Sequence, residues 1–297
     1  MKKRRVISAA SDFTVEQLPQ TRRSQFFNIL KNQYLTILKS GAFLLLAVLP
    51  FIILDLVRNM FDTAFYNEFV NGILQEGEYH FYIFIDLMIQ TGVEVLFIPV
   101  FTLVLSGINN VMKNMVQGGH VLFMYDFKQG VKDNYKNTTI TSVIFGLFVL
   151  LARFVFYFFV GKYFISIPVY AVLILFVIPL AIISNVFTSY YQGNFFNVVS
   201  NSTKLYFPYW WQYLIVSVLF FAFMFGLNAG LDGVLIAYVK TTIYLVFATF
   251  VLPIMILVIH SISISMFDKY INDEIYPEIY RKGLYNPKTP RTNIPKR

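Results

Sequence analysis

The chain has 297 residues, 57% of them hydrophobic and only 13% charged, with a mean hydropathy of +0.61. A soluble domain carries about 25% charged residues, so a water-facing globule of this size has no interior for so much apolar surface, and a membrane is the first expectation. The 33 Phe and 20 Tyr suit lipid contact and interfacial belts. With 15 Gly, 11 Pro and no Cys, collagen-like, disordered and disulfide-scaffold classes are excluded, as are thiol catalysis, iron–sulfur clusters and Cys-ligated zinc.

Residues 1–21 read as a flexible basic tail. No apolar h-region or small-residue cleavage site follows Met1–Arg5, so the first span is expected to be retained rather than cleaved as a signal peptide. Apolar runs of about 18 residues or more predict six spans. They are Ser40–Val57, Phe81–Leu105, Thr139–Val160, Ile165–Tyr190, Tyr209–Leu227 and Leu231–Ser263. Of the 24 Lys and Arg, eight precede the first span and seven follow the sixth. Lys113, Lys128, Lys132 and Lys136 lie between spans two and three, and Lys204 lies between four and five. That bias places both termini in the cytoplasm by the positive-inside rule. The first outer loop is acidic instead, with Asp62, Glu68, Glu76 and Glu78 against Arg58. The C-terminal stretch 283–297, with Pro287, Pro290 and Pro295, reads as a second flexible basic tail.

A repeat runs through the spans. Each even-numbered span carries a proline after an aromatic-aliphatic run: Pro99, Pro179 and Pro253. Each odd-numbered span follows an aromatic amphipathic stretch, at Phe26–Lys39, Phe123–Asn137 and Phe195–Phe207. In the first, Phe26, Ile29, Leu30, Tyr34, Ile37 and Leu38 share a helical face, and in the second Phe123, Phe127, Val131 and Tyr135 recur every four residues. Such helices are expected to lie along the membrane surface. The expectation is therefore an all-α polytopic integral membrane protein whose six transmembrane helices form three parallel repeats. Each repeat is an interfacial helix plus a transmembrane hairpin, at about 26–107, 121–190 and 195–263, within a membrane domain spanning 22–282. Met266–Lys282 reads as a further acidic-aromatic interfacial segment.

An ionisable side chain at membrane depth is a functional candidate, because stranding a charge there costs several kcal/mol. Asp86, Gln90 and Glu94 form an i, i+4, i+8 stripe on span two; span three carries Arg153, and span six carries Lys240 and Tyr244. Matching depths at about 1.5 Å per residue pair Glu94 with Arg153 and Asp86 with Lys240. Such pairs serve either as glue between helices or as a transport or coupling site. The second candidate site is the cytoplasmic aromatic-basic rim: Phe26 and Phe27; Phe123, Phe127 and Lys128; Phe195, Phe196 and Lys204. These residues contact either anionic headgroups, worth about 1 kcal/mol per cation, or a cytoplasmic partner such as an ATPase subunit. Trp210 and Trp211 read as belt residues. His80, His120 and His260 are scattered, so no metal site is expected, and no P-loop or nucleophile elbow occurs. Asp62, Glu68 and Glu76 with His80 are the nearest approach to an acid–base set. No cofactor, nucleic acid or enzymatic activity is expected.

The stretch from span two into span three resembles the YesL-like family of bacterial polytopic membrane proteins of unknown function. The resemblance rests on Ile98-Pro99 through Gly107-Ile108-Asn109-Asn110-Val111-Met112-Lys113, the turn Gly118-Gly119, and the aromatic-basic entry Phe123, Asp126-Phe127-Lys128 and Lys132-Asp133-Asn134-Tyr135-Lys136. A second such entry is Phe195-Phe196-Asn197 with Lys204 and Pro208. That family often accompanies carbohydrate ABC uptake systems, so the resemblance implies an accessory or subunit role in transport at the plasma membrane, with no catalytic residues. The alternative is a permease subunit of an ABC transporter, or a self-contained transporter or channel.

Overall fold

The computed structural model describes residues 18–159, 163–191, 193–230 and 234–285. Every regular element among them is helical. Helix α1 (Arg22–Asn32) is capped by the Thr21 side chain, which accepts from the Ser24 amide. After one non-helical residue, Gln33, α2 runs from Tyr34 to Val70. A short turn leads to α3 (Glu76–Val116), started by a capping box in which the Glu78 carboxylate accepts from the Gln75 amide at 3.0 Å. Then come α4 (Phe123–Phe158), α5 (Tyr163–Val172), α6 (Ile178–Tyr190), α7 (Phe195–Gly230), α8 (Val234–Val246) and α9 (Leu252–Phe267). Single π-helical turns join α5 to α6 (Leu173–Val177) and α8 to α9 (Phe247–Val251), and a third follows α9 (Asp268–Asn272).

Five of the described helical stretches are long and apolar enough to cross a membrane. Their most apolar windows have mean hydropathies of 1.9 to 2.6, yet only 22–33% of each window is buried. Leu46, Leu96, Leu151 and Leu219 all face outward. Water would oppose that arrangement by about 25 cal/mol for every Å² left exposed, whereas lipid tails accept it, which is the mark of a membrane protein. Most of the predicted fifth span, Tyr209–Leu227, coincides with α7, although several of its side chains lie outside the described ones. The start of the sixth, at 231–233, and most of both predicted tails lie outside the described residues.

Packing is uneven along the bundle. The buried core gathers at the end that holds both chain termini, around Ile108, Val111, Met112 and Met115 of α3, with Leu257 and Ile264 of α9 and Ile183 of α6. There α3 and α4 cross closely because a glycine on each faces the other helix. A Cβ on Gly107 would enter the Phe127 ring, and one on Gly130 would meet the Ser106 carbonyl and the Gly107 Cα. The opposite, distal end is held by stacked rings, Phe65 on Tyr82 at 5.2 Å and Phe69 on Tyr79 at 4.9 Å.

Prolines explain two of the three π-turns, Leu173–Val177 and Phe247–Val251. Each lacks an amide hydrogen and crowds the carbonyl four residues earlier, and a widened turn relieves that conflict. Both π-turns end two residues before their proline, Pro179 and Pro253. The carbonyl freed by Pro179, that of Leu175, accepts from the Tyr206 hydroxyl. The carbonyl freed by Pro253, that of Thr249, lies against Gly41, where a Cβ would collide with it. Pro99 sits inside continuous α-helix with no π-turn before it.

Two expectations about the interfacial stretches are corrected. Phe26–Lys39 is not one amphipathic helix: it breaks at Gln33, and Tyr34–Lys39 belong to the first crossing helix, with Tyr34 and Leu38 exposed. Phe123–Asn137 is the continuous beginning of α4 and packs on the extension of α3. The acidic outer loop also shrinks, because α2 continues to Val70 and puts Arg58, Asp62 and Glu68 on a helix.

Candidate functional site

The charged residues of the distal half face one another across α2, α3, α4 and α8. On α3, Gln90 donates to Glu94 at 3.0 Å. Glu94 in turn accepts from Arg153 Nη1 of α4 at 3.0 and 2.8 Å through its two oxygens. The other predicted pair, Asp86 with Lys240, is not formed. Lys240, only 5% exposed, meets Asp55 of α2 at 2.9 Å. Its ammonium also lies 5.9 Å from the ring centroid of buried Tyr244. Asp86 instead sits 3.8 Å from Arg58 Nε, which hydrogen-bonds Asp62 at 3.1 Å.

The reason for the changed partner is helix length. Because α2 remains helical beyond its apolar run, Asp55, Arg58 and Asp62 fall at i, i+3 and i+7 on one face, with Asn59 donating back to Asp55. That stripe lies opposite the Asp86 stripe of the antiparallel neighbour and supplies both acids and a base before α8 is reached. The spacing of Asp55, Arg58 and Asp62 is the signal that would have revealed it.

A second polar constellation, at the terminal end, has no local sequence signature. Arg22 of α1 donates through Nη2 to Asp268 at 2.7 Å. Through Nη1 it donates to the Gln25 side chain at 2.7 Å, the Val116 carbonyl at 3.0 Å and the Lys282 carbonyl at 2.9 Å. Gln25 Nε2 also donates to Val116 at 2.6 Å. Asp268 accepts in addition from Asn272 at 2.8 Å and the Arg281 amide at 3.2 Å, and Tyr191 donates to Asn272 at 2.6 Å. Burial, and Asp268 nearby, raise the Tyr191 hydroxyl above the usual tyrosine range. Gly118 and Gly283, both at positive φ, abut one another, so this junction accepts no side chain at either position. The Tyr285 amide closes the clasp by donating to the Pro19 carbonyl at 3.0 Å. The parts of the predicted tails nearest the bundle are thus docked.

Beneath the clasp, His260 of α9 is fully buried. Its Nε2 lies 3.3 Å from Asn109 Oδ1 and its Nδ1 3.3 Å from the Tyr190 hydroxyl. Both ring nitrogens thus have a hydrogen-bonding partner. Lys113 donates to the Ser189 carbonyl at 2.7 Å and reaches over the Tyr190 ring, while Tyr213 and Ser263 bond at 2.8 Å.

The predicted rim residues divide. Phe27, Lys128, Phe196 and Lys204 are exposed, whereas Phe26 and Phe195 are half-buried. Phe123 and Phe127 are buried against Phe43, with ring centroids 5.3 and 4.9 Å from it, so the predicted outward-facing pair is covered within the bundle. Their four-residue spacing marks a buried face directed at α3 rather than at the bilayer. On α7 the stretch before the kink at Tyr209 buries Val198, Ser202, Leu205 and Tyr206 and turns Phe196, Lys204 and Phe207 outward. Trp210 and Trp211 are exposed. Among the described residues no group of three His, Cys, Asp or Glu is arranged to hold a metal ion. The chain matches no protein-family model, no curated protein and no solved structure.

Proposed function

We propose that the chain is a non-enzymatic, six-span protein of the bacterial plasma membrane, built as three parallel repeats with both ends cytoplasmic. We read it as an accessory or subunit of a carbohydrate-type transport system, of the kind the YesL-like resemblance implies. Six crossings are supported by the clasp: Pro19 and Tyr285 touch, so the chain crosses an even number of times, and α7 is the sixth crossing beside the five apolar stretches. The repeat is supported by the matching π-turn and proline of the second and third units. The cytoplasmic orientation rests on the basic bias of the terminal end. Reporter fusions at residues 130 and 200 test it, and an extracytoplasmic signal at either refutes it.

The observation that carries the accessory reading is the rim at the terminal end. Phe27, Phe196 and Phe207 are exposed, as are Lys128 and Lys204. A rim of outward aromatics and cations suits anionic headgroups and the acidic surface of a cytoplasmic partner. Purification from native membranes in mild detergent decides between readings. Co-elution of other transport components supports an accessory or subunit, and ATPase activity in the co-purified complex selects the permease-subunit alternative. The self-contained transporter is favoured by a separate observation, the intramembrane ion pairs joining α2, α3, α4 and α8. It requires solute flux by the protein alone in liposomes.

A further inference from the structure

From the charge and hydrogen-bond balance of the distal half, we infer that Asp62, Asp86 and Gln90 form a binding site for one monovalent alkali cation between α2 and α3. Among the described residues of this layer, four carboxylates meet three cations. Asp55 and Glu94 each have a base within hydrogen-bond distance, Lys240 and Arg153. The remaining base, Arg58, is divided between two acids: it bonds Asp62 at 3.1 Å and stands 3.8 Å from Asp86, beyond hydrogen-bond reach. Among the described residues, one negative charge is left without an equal partner.

The orphaned atoms point the same way. Asp62 Oδ1, Asp86 Oδ2 and Gln90 Oε1 are enclosed and have no donor. All three are acceptors. Gln90 is 7% exposed and lies one helical turn from Asp86 on the same face, its amide nitrogen already committed to Glu94. Enclosed oxygens with no donor are costly, the more so when charged, and a single positive charge relieves them together. Hard oxygen donors of this kind, carboxylate and amide carbonyl, select alkali and alkaline-earth ions over softer metals. The guanidinium between the two carboxylates leaves the trio with a net charge of one, which a monovalent ion neutralises and a divalent one overshoots. Among the described residues, the other ionisable side chains toward the distal tip are Tyr66 and Glu68 on α2 and Glu76, Glu78, Tyr79, His80 and Tyr82 on α3; the three glutamates are exposed and lie farther out than Asp62 and Asp86.

This inference goes beyond the proposed function and needs no partner, so it is read on the purified full chain. Thermal unfolding in detergent is followed at constant ionic strength as NaCl or KCl replaces N-methyl-D-glucamine chloride, at pH 7 and again at pH 8. The expected result is a saturable rise of the unfolding midpoint with Na+ or K+. The half-saturating concentration should rise at least tenfold in Asp86→Asn and in Gln90→Met, and remain unchanged in Lys31→Gln at the opposite end. Gln90→Met keeps side-chain length and every charge, so it serves where Asp86→Asn does not fold. A midpoint indifferent to both ions overturns the site and leaves the three oxygens to water. A midpoint that follows pH but neither ion assigns the charge to a proton and also overturns it, as does a salt response that both variants retain.

Discussion

Replacing Arg22 by Met tests the clasp most directly. Methionine keeps much of the length and apolar stem of the side chain but removes every donor. The guanidinium side chain is 10% exposed and Asp268 11%, and breaking a buried pair by removing one partner costs about 3–5 kcal/mol. Asp268 keeps the Asn272 amide at 2.8 Å and the Arg281 amide at 3.2 Å, so its charge is not wholly stranded, and the lower end of that range, about 3 kcal/mol, applies. At roughly 2–4 °C per kcal/mol for chains above 150 residues, the unfolding midpoint in detergent should fall by about 6–12 °C. Fluorescence from Trp210 and Trp211 reports the midpoint, and limited proteolysis reports whether the 18–33 segment is released first. The pair itself is isolated by a double-mutant cycle with Asp268→Leu, in which the double variant should lose about 1–3 kcal/mol less than the two singles together. Strict additivity, or a midpoint within about 2 °C of wild type, would show that the clasp does not hold the chain ends as argued.

The ion pair between α3 and α4 is tested by charge exchange: Glu94→Arg and Arg153→Glu should each abolish expression, and the double exchange should restore it. Tyr206→Phe should cost about 1–3 kcal/mol of stability, because the Leu175 carbonyl freed by Pro179 loses its donor. Gly41→Ala should cost at least as much as ordinary overpacking, about 1–3 kcal/mol, since the colliding atom is a backbone carbonyl and cannot swing aside; thermal unfolding checks both. Burial and the neighbouring Asp268 raise the Tyr191 phenol in the folded state above its ordinary value of 10.0. The folded chain therefore keeps a proton that the unfolded chain has released. This contribution is fully present below pH 10.0 and is lost as pH rises through the folded-state value. Tyr191→Phe should flatten part of the alkaline fall in a midpoint-versus-pH series.

Hydropathy marked five of the six predicted spans on helices long and apolar enough to cross a membrane. It did not mark where the helices end, because a helix can leave the bilayer and stay a helix. Val57 closes the first apolar run, yet α2 continues to Val70. That extension turned a supposed outer loop into the face bearing Arg58 and Asp62, and it redirected Asp86 away from Lys240. Glu94 and Arg153 were legible from depth alone because helices consecutive along the chain leave few other choices. The amphipathic periodicity of Phe123 and Phe127 was also legible, but a period reports only that one face is apolar. Gly107 and Gly130 were the residues that determined which surface covers it. Arg22 and Asp268 are 246 positions apart, and nothing local relates an arginine near one terminus to an aspartate near the other.

The widened turn at Phe247–Val251 sets the angular phase of the helices on either side of it. A π-turn holds one residue more than an α-turn, which displaces everything beyond it by about 100° around the axis. Lys240 is thereby aimed at Asp55 while His260 and Ser263 are aimed at Asn109, Tyr190 and Tyr213. Deleting a single residue from the turn would leave no helical rotation that satisfies both ends at once. The last arm of the bundle thus keeps two independent headings, one for each end of the molecule, with the mismatch absorbed at the level of the membrane interior.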